Sequence, residues 1–297
     1  MASPRSGLAS AALHCVALLA LALPSAVAQN LSLLDFSQNV QATNGMYPNN
    51  STLGPEFYSG AVLDFVNVTT KDGQSVDARV TLLGSAGDYE FVGWLPHYNE
   101  ANGQPGDDLG VYYRSIYDLD DESFGGIAWT ITFYEGGGEF ANEATLEDVS
   151  LLIYDFDGEP GQSEHIRTYT GDGLNGYQLQ NGADITASGD EDTWIFNAGG
   201  HDLSESGPQG SFILNYHNTS SIRFDMFSST SENHPWNKSG IFAGIDGNLG
   251  LAGTSAADYG AFVVIPEPSQ FSLALVALSL ACFRRRRPPL AAGTPRS

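Results

Sequence analysis

Through the middle of the chain, apolar and polar positions alternate in short runs rich in β-branched and aromatic residues, and almost no stretch keeps a helical period. The runs predict strands over AVLDFVNVTT (61–70), SVDARVTLLG (75–84), DYEFVGWL (88–95), LGVYYRSI (109–116), GIAWTITFYE (126–135) and DVSLLIYDF (148–156). They continue over HIRTYTG (165–171), GYQLQ (176–180), DTWIFNA (192–198), SFILNYH (211–217), SIRFDMF (221–227), GIFAGID (240–246) and YGAFVVI (259–265). Turn chemistry separates them at Lys71-Asp72-Gly73, Asn175-Gly176 and Asn181-Gly182, where Asp or Asn tolerates positive φ and Gly adopts it freely. Many short strands without intervening helices predict an all-β fold, an antiparallel two-sheet sandwich that is jelly-roll-like. A propeller is disfavoured because no repeat of about 40 residues recurs. Gly136-Gly137-Gly138 is the nearest thing to a linker, but it returns directly to strand pattern, so residues 29–265 read as one domain.

Composition narrows what this body does. The chain of 297 residues is 42% hydrophobic and 11% aromatic, enough to bury a large core. Between residues 29 and 265, six basic residues stand against 34 acidic ones, which leaves that stretch at −28. Such a surface repels anionic polymers and attracts divalent cations, so nucleic acid is not an expected partner. The two cysteines, Cys15 and Cys282, lie outside this stretch, so its stability rests on burial or bound ions instead of disulfides.

The two ends differ in kind from the body. Residues 1–28 carry a basic start at Arg5, an apolar stretch from Val16 to Leu23, and small residues at Ala26 and Ala28. This is the pattern of a signal peptide removed by signal peptidase, with the mature chain starting near Gln29. Residues 266–287 hold Pro266, Glu267 and Pro268, then an apolar run from Phe271 to Phe283, then Arg284, Arg285, Arg286 and Arg287. At 13 residues the run is short against the roughly 20 of a comfortable membrane helix, yet the arginines fix its sense, holding themselves in the cytoplasm and the body on the far side. A polar extension, 288–297, follows.

This arrangement resembles the PEP-CTERM sorting tail of Gram-negative bacteria, which carries the same triplet, short membrane segment and arginine cluster. The resemblance covers about the last thirty residues and implies recognition by an exosortase-type processing enzyme. It further implies cleavage near Pro266-Glu267-Pro268, a transient inner-membrane tether, and release to the cell surface or surroundings. The ten residues after the arginines depart from the usual tail, which stops sooner. Such tails occur on proteins of many kinds, so this one describes transport and not activity.

Within the body, Asp155, Asp157 and Glu159 alternate directly after Leu151-Leu152-Ile153, which places three carboxylates on one side of an extended chain entering a Gly-Pro turn. Hard oxygen donors so arranged suit Ca²⁺, although the segment is not an EF-hand loop. The same alternation is compatible with a jelly-roll glycoside hydrolase carrying its acid and nucleophile on one strand, but Gly158 and Pro160 interrupt that strand. Trp94, Tyr98 and Trp236, at strand ends or in loops, are candidates for stacking on sugar faces, whereas Trp129 and Trp194 fall within strands and read as core. Histidines 97, 165, 201, 217 and 234 lack zinc spacing, and there is neither a Gly-x-Ser-x-Gly elbow nor a phosphate-cradling glycine loop. The expectation is an exported, non-enzymatic binding or adhesion protein of the extracellular matrix, associated with exopolysaccharide and stabilised by calcium. The alternatives are an extracellular carbohydrate-active enzyme and a structural surface-layer subunit.

Overall fold

The computed structural model describes residues 34–36, 41–43, 60, 62–87, 96–98, 109–113, 124–159, 162–199, 210–230, 241–246, 249 and 254–266. All of them belong to the unit Ser32–Ser297. Ala26 and Ala28 of the expected leader, and everything after Pro266, lie outside the described residues. Among the described residues, no helix is long and apolar enough to cross a membrane.

The first eight strands in chain order are β1 (Gln41–Thr43), β2 (Val62–Lys71), β3 (Gln74–Gly87), β4 (Pro96–Tyr98), β5 (Leu109–Tyr113), β6 (Phe124–Glu135), β7 (Leu146–Tyr154) and β8 (Gly158–Glu159). They are followed by β9 (Gln162–Tyr169), β10 (Leu174–Leu179), β11 (Ile185–Gly189), β12 (Thr193–Ala198), β13 (Phe212–Thr219), β14 (Ser221–Thr230), β15 (Ile241–Asp246) and β16 (Val263–Val264). Among the described residues they form two sheets. The larger runs β1-β2-β3-β6-β14-β9-β12-β11, with β8 beside β9, and the smaller runs β16-β10-β13-β7-β15-β5-β4. Neighbouring strands pair antiparallel throughout. From β6 onward the chain passes back and forth between the sheets, to β7, then β8 and β9, β10, β11 and β12, β13, β14 and β15 in turn.

Alternation along each strand sorts its residues between the two faces. On β6, Ile127, Trp129, Ile131 and Phe133 enter the core, and on β14 Ile222, Phe224 and Met226 do so. Leu151 and Ile153 of β7 and Phe212, Leu214 and Tyr216 of β13 answer them from the smaller sheet, making a single apolar cluster between the sheets. Phe196 of β12 lies flat on Phe212 of β13 at 4.6 Å, and Tyr216 meets Phe224 edge-on. The expected two-sheet antiparallel arrangement is therefore present. Trp129 is fully buried and Trp194 packs against the core, as their strand positions predicted.

Some local expectations need correcting. Asp72 and Gly73, with φ of 51° and 77°, close the β2–β3 hairpin as anticipated, but Asn175-Gly176 is no turn. Gly176 sits inside β10 beside a bulge, and the ring of Phe262 occupies the place where a Cβ would stand. The short polar edge strand β11 was missed, because Thr186 and Ser188 face solvent and its apolar pattern is weak.

Residues Tyr259–Ile265 act as a strap along the open edge of β10. Tyr259 bridges to Gln180, the Gly260 N–H donates to the Leu179 carbonyl, Val263 and Val264 pair with Tyr177 and Gly176, and the Ile265 N–H donates to the Asn175 carbonyl. Ile265 is 3% exposed and belongs to the core, whereas the next residue, Pro266, is half-buried. We predict that a chain ending at Pro266 melts with the full chain. One ending at Asp258, which loses an apolar anchor worth about 2 kcal/mol and an edge ladder, should lose about 3 kcal/mol or more, a fall of roughly 6–12 °C by calorimetry. Equal melting of the two truncations would show that the strap is dispensable.

Candidate functional site

Three polar constellations stand out. At one end of the sandwich, β7 stops at Tyr154, and Asp155 takes a left-handed conformation with φ of 54°. The chain is thus bent, not extended, at the first of the three predicted calcium ligands, and the alternation argued from sequence is broken there. A hydrolase with its carboxylates alternating on this strand loses the same premise. Phe156, between the two aspartates, drives the bend, since it is buried edge-on against Phe212 at 5.2 Å. Asp157 donates its N–H to Glu164 Oε2 at 3.1 Å, and the Glu164 N–H returns to the Asp157 carbonyl at 3.3 Å. The backbone of Glu159 lies in β8, and its side chain lies outside those described. Among the described residues, no three His, Cys, Asp or Glu side chains converge as a metal site.

Glu164, which sequence reasoning did not single out, is 5% exposed and points toward the core side of β9, in line with Ile166 and Thr168. Its burial holds its carboxyl well above the ordinary range, Asp157 and then Asp155 add to this, and the Asp157 N–H opposes it.

The second constellation covers the outer face of the larger sheet. Residues of β9 and β14 that alternate with core positions place Arg167, Tyr169, Arg223 and Asp225 side by side, Asp225 opposite Arg167 in register. Asp225 is 3% exposed and accepts from Arg167 at 3.4 Å, from the Tyr169 hydroxyl, and from Arg223 Nε and Nη2 at 3.1 Å each. Arg223 lies over the Tyr169 ring at 4.8 Å, Arg167 over Phe227 at 5.3 Å, and His165 stacks on Phe227. Burial lowers the pKa of His165, against a hydrogen bond with Asn197 that raises it. Farther along the same face, Arg79 makes a two-pronged pair with Asp64 at 2.6 and 2.8 Å and covers Phe140. The Arg-x-Tyr and Arg-x-Asp spacings of β9 and β14 are visible in sequence, but the adjacency of two strands more than fifty residues apart is not.

The third is a cleft of about 830 Å³ where the tip of the β2–β3 hairpin faces residues 135–145. Its walls are tied by Asp77, which is fully buried and accepts the Asn67 N–H at 3.0 Å from one wall and the Gly138 N–H at 2.7 Å from the other. Gly136 donates its N–H to the Ser75 carbonyl at 2.8 Å, an approach so close that a Cβ there would stand 2.5 Å from that oxygen. The segment after it folds back on β6 through Glu135 N–H to Asn142 carbonyl and Ala144 N–H to Phe133 carbonyl, both 2.9 Å. None of the predicted site residues lines this cleft. Tyr98 lies in β4 with its side chain outside those described, and Trp94 and Trp236 lie outside the described residues altogether.

No known family model and no curated protein matches the chain. Among solved structures it is similar to the N-terminal domain of the Streptococcus gordonii adhesin Sgo0707, with 13% identity and a TM-score of 0.46, covering 73% of this chain and 63% of that one. It is also similar to the adhesin domain of PrgB from Enterococcus faecalis, a structure bound to DNA, with 11% identity and a TM-score of 0.36, covering 63% and 67%. Neither likeness bears on what this protein binds.

Two predictions follow from the buried carboxyls. Because the folded-state pKa of Glu164 is raised, its share of stability is present below the unfolded value and lost as pH rises through the folded one. In chelator, Glu164→Gln should therefore melt higher than the parent at about pH 7 and level with it near pH 4; a variant less stable at both would refute the buried-acid reading. Asp225→Ala removes the shared acceptor of two arginines and a tyrosine and should cost about 1–3 kcal/mol in urea unfolding, an unchanged midpoint counting against it.

Proposed function

We propose that this chain is an exported surface or extracellular-matrix protein, a jelly-roll-like sandwich that binds or adheres and does not catalyse. One observation carries the reading. Among the described residues Ile265 is the last that joins the core, and the residue after it, Pro266, opens the Pro-Glu-Pro triplet. A strap closing on Ile265, with a Pro-Glu-Pro triplet, a short apolar run and four arginines next in sequence, supports a removable sorting tail. The passage of successive strands from sheet to sheet supports the jelly-roll-like order. The strong negative charge of the body supports a partner that is not a polyanion, extracellular polysaccharide of low charge being the class that fits.

Calcium belongs to the same proposal. The ligands proposed are Asp155, Asp157 and Glu159, and the strong negative charge of the body, which draws divalent cations, supports the reading. Millimolar Ca²⁺ is expected to raise the melting temperature at neutral pH, and Asp157→Asn to remove the increment; an identical increment in that variant would reject this turn as the site.

The export reading is tested by fractionating the cells of origin and reading the terminal residues of the recovered protein by mass spectrometry. The expected product starts near Gln29, ends close to Pro266, and is found at the surface or in the medium. Replacement of Arg284 to Arg287 by alanine should leave unprocessed chain behind. Full-length protein in the cytosol of the parent strain would overturn the proposal.

A further inference from the structure

The cleft at the β2–β3 hairpin answers a question that the surface-binding proposal leaves open: what chemistry the body recognises. Its rim carries both hydrogen-bond donors and acceptors. Lys71, Gln74 and Asn67 supply donors, and Asp72, Glu135 and Glu143 supply acceptors. Asn67 accepts the Ser75 hydroxyl on its amide oxygen, which leaves the amide nitrogen as a donor. The Asn142 amide donates to Glu135 Oε2 at 3.1 Å, which orients that carboxylate and leaves its other oxygen as an acceptor. The backbone beneath is held by Asp77 and by the close Gly136–Ser75 contact, so these groups are presented from a scaffold that does not have to reorganise.

Three ligand classes meet this rim differently. A polyanion faces three carboxylates against one ammonium, on a body that is strongly negative overall. A lone divalent cation needs carboxylates gathered onto one point, and among the described residues no such group exists. A sugar hydroxyl both donates and accepts, so a rim that carries donors and acceptors together satisfies vicinal hydroxyls, and a neutral ligand brings no charge for the carboxylates to repel.

We infer that this cleft is a binding site for a neutral, hydroxyl-rich oligosaccharide. The inference rests on the surface-binding proposal above and names the ligand class and the site. The rim has no aromatic platform and its side chains are exposed, so a single site binds weakly, with a Kd of about 1 mM, and firm attachment comes from many copies along one polymer.

The test uses the full chain in a zwitterionic detergent, since a sugar-headed one would compete. Cellohexaose, a polygalacturonate hexamer, a chitosan hexamer and CaCl₂ alone are titrated by calorimetry and by NMR. The variants are Glu135→Gln with Glu143→Gln, and Lys71→Met; Glu147→Gln, an exposed carboxylate on β7 outside the cleft, is the control. Melting curves matching the parent show that the variants fold. Cellohexaose is expected to bind, to weaken about tenfold in the double variant and in Lys71→Met, and to be unaffected in the control. Three results overturn the inference: cellohexaose binding that survives both cleft changes, binding at the cleft confined to a charged oligomer or to calcium, or no binding of any probe. The first of these leaves the surface-binding proposal standing with its site elsewhere, and that proposal is judged separately by where the cells place the protein.

Discussion

Cohesion in this molecule rests on apolar burial between two sheets, concentrated where a ring from each meets the other. Phe196 and Phe212 stack across the gap, Phe156 and Tyr177 close on them edge-on, and the cluster continues without a break to Phe65 and Phe36 near the far edge of the larger sheet. No disulfide is available to the body, because no cysteine lies between residues 29 and 265. Since the chain crosses from one sheet to the other repeatedly after β6, neither sheet is assembled until most of the sequence is present. Packing between the inner faces is therefore what selects the register of every later strand.

Buried polar groups are matched to this core by pairs that cross it or brace its ends. The Thr168 and Tyr216 hydroxyls meet at 2.7 Å between the sheets, and Ser150 donates to Asn215 at 2.8 Å. Ser211 joins Gln180 and Tyr259, so the C-terminal strap is fastened by a hydrogen-bonded hydroxyl as well as by Ile265. Each bond offsets part of the cost of burying these groups, the Asn215 amide nitrogen being left without a hydrogen-bond partner among the described residues. The same rule sets the cleft: Asp77, buried and with no basic partner among the described residues, is tolerated because two backbone N–H groups converge on it, and that convergence holds the two walls together.

Charge is distributed unevenly over the surface. Arg79, Arg167 and Arg223 all lie on the outer face of the larger sheet, each engaged by an aspartate that is nearly buried. Aromatic rings at Tyr169, Phe227 and Phe140 cover their flat sides. These three arginines are thereby paired within the body, whereas most of the other described acidic residues are exposed.

Period-two alternation reveals strands wherever one face is buried, and so β2, β3, β6, β7, β9, β12, β13 and β14 were legible within a few residues. It fails at β11, an edge strand with little to bury, and at Asn175-Gly176, where a glycine that looked like a turn is a seat for the ring of Phe262. Fold class, the absence of disulfides from the body, the acidic composition and the distinct chemistry of the two ends follow from the residues in order, because these depend on composition and on neighbours along the chain. Tertiary structure alone decided that Asp155 turns away from an extended path, that Glu164 is buried against its neighbours, that Asp225 is shared by two arginines, and that Asp77 ties a cleft together. Those features require segments far apart in sequence to be brought to hydrogen-bonding distance, and only packing between the sheets sets which segments meet.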